Sequence, residues 1–119
     1  MKMDTYILDE VLVQKRKKRE KIRRQQVRKV FAALDKLAGV VNFQEAYIFG
    51  SLARPYAFNP ESDVDIGFSG LKDEDFFKTI AFLSNVLGRE VDVIQLEGHR
   101  LKNKVLREGI RWRKHSWPS

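Results

Sequence analysis

A chain of 119 residues, 43% of them hydrophobic, suits one domain with one core. It has no cysteine, which excludes disulfides and thiolate metal sites and agrees with a reducing compartment. No apolar run nears the roughly 20 residues of a membrane span, and the acid-interrupted start (Asp4, Asp9, Glu10) lacks the form of a signal peptide, so a cytoplasmic protein with no membrane partner is expected. The formal net charge of +7 is concentrated: residues 15–29 hold ten Lys or Arg and one acid, Glu20.

The first predicted element is a long helix over residues 14–38. No Gly or Pro lies between Lys2 and Ala38. Val27, Val30, Phe31, Leu34, Leu37 and Ala38 recur at three- and four-residue spacing, an amphipathic stripe. Upstream the stripe fades, with Ile22 nearly the only apolar residue between Lys15 and Gln26. The C-terminal half is therefore expected to pack on a core and the basic half to project. A basic block of this kind suits RNA or an acidic protein partner. It suits a solvated helix face equally, because no aromatic residue lies within 15–29 to stack on bases. Gly39 is a helix stop.

A short apolar strand, Ala46–Phe49, runs into Gly50-Ser51, with a helical turn expected from Ser51 to about Tyr56. Pro55, Asn59 and Pro60 mark a loop. Residues 62–68 alternate polar and apolar, a half-buried strand that puts Asp63 and Asp65 on one face and Val64 and Ile66 on the other. Asp73, Glu74 and Asp75 supply the acidic first turn of a helix reaching about Leu87, and Gly88 ends it. A third strand covers residues 90–95, with Asp92 and Ile94 on one side and Val91 and Val93 on the other. A last helix is expected over about 98–108, then a short strand or cap at Ile110 and Trp112 and a loose tail over 114–119. This alternation predicts an α/β or α+β domain with one small sheet flanked by helices. Residues 1–26 form a basic helical extension, 27–113 the domain proper and 114–119 the tail.

Three carboxylates lie on two predicted strands: Asp63 and Asp65 on one, Asp92 on the other. If the strands are neighbours, all three converge. Clustered carboxylates repel one another, and the usual reason for gathering them is a hard divalent cation such as Mg²⁺. Alternating aspartates also mark the solvent face of many amphipathic strands. Gly50-Ser51 adds a second feature. A Gly-Ser turn straight after an apolar strand, opening a helix, forms a plausible phosphate cradle. A phosphate cradle followed by a metal-binding pair is the layout that a nucleoside triphosphate site requires.

Gly50-Ser51-Leu52-Ala53-Arg54, followed by residues 59–65 with Ser62-Asp63-Val64-Asp65, resembles the signature of the DNA polymerase beta-like nucleotidyltransferase superfamily. Glu90–Ile94 looks like its third-carboxylate strand, and residues 101–112 look like the closing helix and strand of its minimal nucleotidyltransferases, often paired with HEPN-domain toxins. The likeness covers roughly residues 27–112. It departs at Pro55, where the family often has Gly, and in a connection from Leu52 to Ser62 that is one residue longer than usual, a small change in loop closure cost. The resemblance implies that Gly50 and Ser51 bind the β- and γ-phosphates of ATP. It implies that Asp63, Asp65 and Asp92 hold one or two Mg²⁺ ions, with Asp92 helping to deprotonate the acceptor. Arg54 would touch the triphosphate or pair with Glu61. The expected activity is transfer of AMP to a protein hydroxyl, the acceptor being a HEPN ribonuclease toxin. Neutralisation of a partner by complex formation alone and transfer to RNA or a small molecule are the competing readings.

Other residues are assigned plainer roles. His99 and His115 are isolated and expected on the surface. Tyr56 and Phe58 either flank a base or serve as loop tip and core. Phe76, Phe77 and Phe82 are expected in the core, Trp112 as a core cap, and Trp117 either as an exposed contact for a partner or without a role.

Overall fold

The computed structural model describes residues 2–113. The expected tail, with His115 and Trp117, lies outside the described residues. Helix α1 spans Lys2–Leu37. It begins well before residue 14: residues 2–13 contain no Gly or Pro to break a helix, and their apolar residues (Ile7, Leu8, Val11, Leu12) recur at three- and four-residue spacing. It is followed by β1 (Glu45–Phe49), a 3₁₀ turn (Gly50–Ala53), β2 (Val64–Ser69) and a second 3₁₀ turn (Asp73–Asp75). The remainder is α2 (Phe76–Leu87), β3 (Val91–Gln95), α3 (Lys102–Glu108) and β4 (Ile110–Arg113).

The strands form one mixed sheet in the order β3-β2-β1-β4. β1 is antiparallel to β2 and to β4, whereas β2 and β3 are parallel, the crossover between them carrying α2. Pleating then divides the side chains between two layers. Ala46, Ile48, Val64, Ile66, Phe68, Val91 and Val93 face the main core with Val30, Leu34 and Leu37 of α1 and Leu83 of α2. Trp112 closes this core, its ring 5.1 Å from that of Phe43 and its Nε1 donating to Asp35 Oδ1 at 2.8 Å. On the opposite face a smaller cluster joins Tyr47, Leu96 and Val105, so α3 covers only part of that side.

Helix α1 changes character along its length. Residues 9–19 are exposed, as a projecting arm should be. From Glu20 onward the helix is seated on the domain: Glu20 and Gln26 are buried, and Ile22 and Val27 pack against the core. The expectation of a wholly projecting basic half is thus corrected for residues 20–26. Two further corrections concern aromatic and helical positions. Phe77 points outward at 79% exposure, while Phe76 and Phe82 pack on the core. α3 starts at Lys102, not near Gly98, because His99 Nδ1 accepts the Leu101 N–H at 3.0 Å and holds a turn there. α2 ends where expected, on Gly88 at φ 65, whose N–H reaches the Ser84 carbonyl.

Candidate active site

The site begins with a register. Phe49 of β1, Asp65 of β2 and Asp92 of β3 stand opposite one another in adjacent strands. Residues so aligned present their side chains on one face, about 5 Å apart in neighbouring strands. Asp65 and Asp92 are therefore side by side, on the part of the second sheet face that α3 leaves uncovered. Asp63, just ahead of β2, is exposed at the same end, and Asp92 is exposed on its strand. Asp65, half-buried between them, is pushed up to about 6, first by burial, then by the charge and hydrogen bond of Asp92 and by the charge of Asp63. Its two acidic neighbours thus strain the ionisation of Asp65.

That strain is the test of fit for a divalent cation. A hard dication accepts carboxylate oxygens and reverses the penalty of holding negative charges together. Among the described residues no three acidic or imidazole groups close into a preformed cage. Mg²⁺ commonly takes one or two carboxylates and leaves other positions to water and substrate phosphates, so an open donor set is compatible with it.

The turn beside the carboxylates is built around glycine. Gly50 lies at φ +72, and a Cβ there would collide with Asp65 Oδ2. Only glycine allows the turn to approach the acid so closely. The segment that follows is a single 3₁₀ turn of four residues, closed by the Arg54 N–H on the Ser51 carbonyl at 3.2 Å. The expected helical turn is thus present but ends at Ala53 rather than about Tyr56, and it is too short to offer a helix dipole, leaving the turn's own amides and the Ser51 hydroxyl as the groups an anion could meet. Arg54 is exposed and does not pair with Glu61 among the described residues.

Both ends of the connection from this turn to Asp63 are tied down. Arg23 of α1 donates from Nη1 to the Leu52 carbonyl at 3.0 Å. Its Nε and Nη2 grip Glu20, whose Oε2 accepts the Tyr56 N–H at 3.2 Å. The Arg23 guanidinium holds the Glu20 carboxyl below its ordinary range, with desolvation opposing and Tyr56 assisting. At the far end Arg89 donates to the Ser62 carbonyl at 3.0 Å and the Pro60 carbonyl at 2.7 Å. Its guanidinium also covers the ring of Phe58, which is buried as an anchor.

Two hollows flank the turn. A cleft of about 650 Å³ includes Phe49, Asp65, Asp92, His99 and Arg100. A more apolar pocket of about 220 Å³ includes Phe49, Gly50, Arg54, Lys104 and Glu108. His99, expected as a plain surface residue, instead lines the carboxylate cleft and is half-buried. Lys104, Arg23 and Arg89 were not singled out by sequence either. Their only signal was position, since each meets the site through a residue distant in the chain.

The polymerase beta nucleotidyltransferase family matches residues 32–112. No curated protein matches the chain. Among solved structures, one assigned as a minimal nucleotidyltransferase is 30% identical, with a TM-score of 0.54, covering 76% of this chain and 92% of its own. A toxin-antitoxin crystal structure with AMP-PNP is 22% identical with a TM-score of 0.59, covering 71% of this chain and 74% of its own; at that identity the likeness is one of fold.

Proposed function

The chain belongs to the polymerase beta nucleotidyltransferase family, and we propose that it transfers AMP from ATP to a hydroxyl of a partner protein, a HEPN-domain toxin for which it is the antitoxin. The observation that carries the reading is the aligned pair Asp65 and Asp92, with Asp63 beside it and Gly50 pressed against Asp65. The toxin-antitoxin neighbour with AMP-PNP supports both a nucleotide and a toxin partner. The open face next to the carboxylates supports an acceptor brought by another molecule. A cytoplasmic setting is part of the same proposal.

In this mechanism the Gly50 amide and Ser51 hydroxyl hold the terminal phosphates. Asp63, Asp65 and Asp92 would hold Mg²⁺, which supplies neutralisation of the triphosphate charge. Asp92 accepts the proton of the acceptor hydroxyl. The acceptor oxygen bonds to the α-phosphorus, the bond from that phosphorus to the bridging oxygen breaks, and pyrophosphate leaves. Little covalent chemistry falls to the protein; positioning and charge supply the rate. The ties from Arg23 and Arg89 fit this demand, because a misplaced phosphate turn loses alignment.

Mass spectrometry of the neighbouring gene product, co-expressed with this chain, tests the proposal. A gain of one AMP on a hydroxyl residue of the partner is expected. An unmodified partner in a stable complex would replace the proposal with neutralisation by binding alone.

A further inference from the structure

We propose that one face of α1, together with the ring of Tyr56, is a docking groove for single-stranded nucleic acid. The inference stands apart from the transfer chemistry. Lys17, Lys21, Arg24 and Arg28 are spaced four, three and four residues apart, which is one stripe along a helix. All four are exposed, and the stripe runs about 17 Å at the helical rise per residue. They line a groove of about 400 Å³ whose other side is Tyr56. Tyr56 is 60% exposed.

The one acid in this segment does not cancel the charge. Glu20 also lines the groove, but its carboxylate is gripped by Arg23 and accepts the Tyr56 N–H. Arg24 lies 3.7 Å from Glu20 Oε1, yet its side chain stays 69% exposed. Four cations against this one paired acid leave the groove net positive.

Cations alone would suit any polyanion. Tyr56 narrows the choice, because aromatic rings beside a basic track hold unpaired bases by stacking. Residues 15–29 contain no aromatic residue of their own, and the fold supplies the missing ring from the loop after Ser51. An acidic protein partner fits less well. Protein interfaces bury an apolar centre from which lysine is depleted, and the groove offers none apart from this one ring.

Fluorescence anisotropy with a labelled single-stranded RNA of about 12 nucleotides, within the range of known site sizes, tests the proposal across a KCl series. Binding is expected to weaken steeply with salt. The quadruple variant Lys17→Gln, Lys21→Gln, Arg24→Gln, Arg28→Gln should flatten the logarithmic salt slope by about 3, at about 0.7 per phosphate lost on a single strand. Tyr56→Ala should weaken binding about 5- to 150-fold while Tyr56→Phe keeps it, the range expected for one stacked base. Circular dichroism of each variant should match the wild type, since every changed side chain is exposed. Absence of binding at low salt overturns the proposal, as does a Tyr56→Ala variant that binds like wild type. Poly-glutamate displacing the RNA at equal charge would assign the groove to an acidic protein and overturn it too.

Discussion

Gly50 and Asp65 compete for one volume: a Cβ on the first would fall on Oδ2 of the second. The turn and the strand are therefore fitted to each other through the absence of a side chain. Gly50→Ala should destabilise the protein by at least about 1–2 kcal/mol, the cost of a left-handed alanine, with the collision adding to it. Differential scanning calorimetry measures the loss, and isothermal titration with Mg²⁺ and AMP-PNP should show binding abolished.

The raised Asp65 makes metal-free stability depend on pH with a definite sign. Its native value of about 6 exceeds the ordinary 3.8, so between the two the native state binds more protons than the unfolded chain. This contribution is full below about pH 4, declines as pH rises through 6, and is flat above it. Denaturant midpoints of the metal-free protein should fall across that window. Mg²⁺ with AMP-PNP should restore the midpoint above pH 6, and Asp65→Asn should remove both effects.

Arg23 acts on the Gly50–Ala53 turn from a helix outside the sheet. Arg23→Ala leaves Glu20 and the Leu52 carbonyl without their partner, a loss of about 1–3 kcal/mol for hydrogen bonds to a charged group. Arg23→Lys cannot reproduce the fork to Glu20 and should rescue only part. A rise in KM for ATP larger than the fall in kcat is expected. Equal loss in both would place the effect elsewhere.

Arg89 braces the other end of the same connection. Arg89→Ala should free the Pro60 and Ser62 carbonyls and loosen the approach to Asp63. Hydrogen exchange should then speed up over residues 57–63 while α2 stays protected.

Much of the fold was legible from local pattern. The period-two runs gave β2 and β3, Gly88 gave the end of α2, and the Val30–Leu37 stripe gave the seated half of α1. The faces of Asp65 and Asp92 on their strands were likewise readable from pleating, whereas Asp63, expected on the same strand as Asp65, lies just ahead of it because β2 starts at Val64. What pattern could not give was pairing. That Asp65 and Asp92 share a register, that Arg23 reaches Leu52, and that His99 lines the carboxylate cleft all depend on contacts distant in sequence. The start of α1 was missed because the apolar residues of 2–13 are cut off from the Val27–Leu37 stripe by the basic run between them, although no Gly or Pro breaks the helix. Phe77 was misjudged because adjacent Phe76 and Phe77 cannot both face the core of one helix.

The central claim is that Asp63, Asp65 and Asp92 serve nucleotidyl transfer, and the most direct measurement compares ATP labelled at the α- or the γ-phosphate. Wild-type protein and the Asp63→Ala, Asp65→Ala double variant would each be incubated with Mg²⁺ and the neighbouring gene product. The account predicts α-label on the partner from wild type alone, with the γ-label released in pyrophosphate. Label arriving from the γ-phosphate, or equal labelling by the double variant, would contradict it.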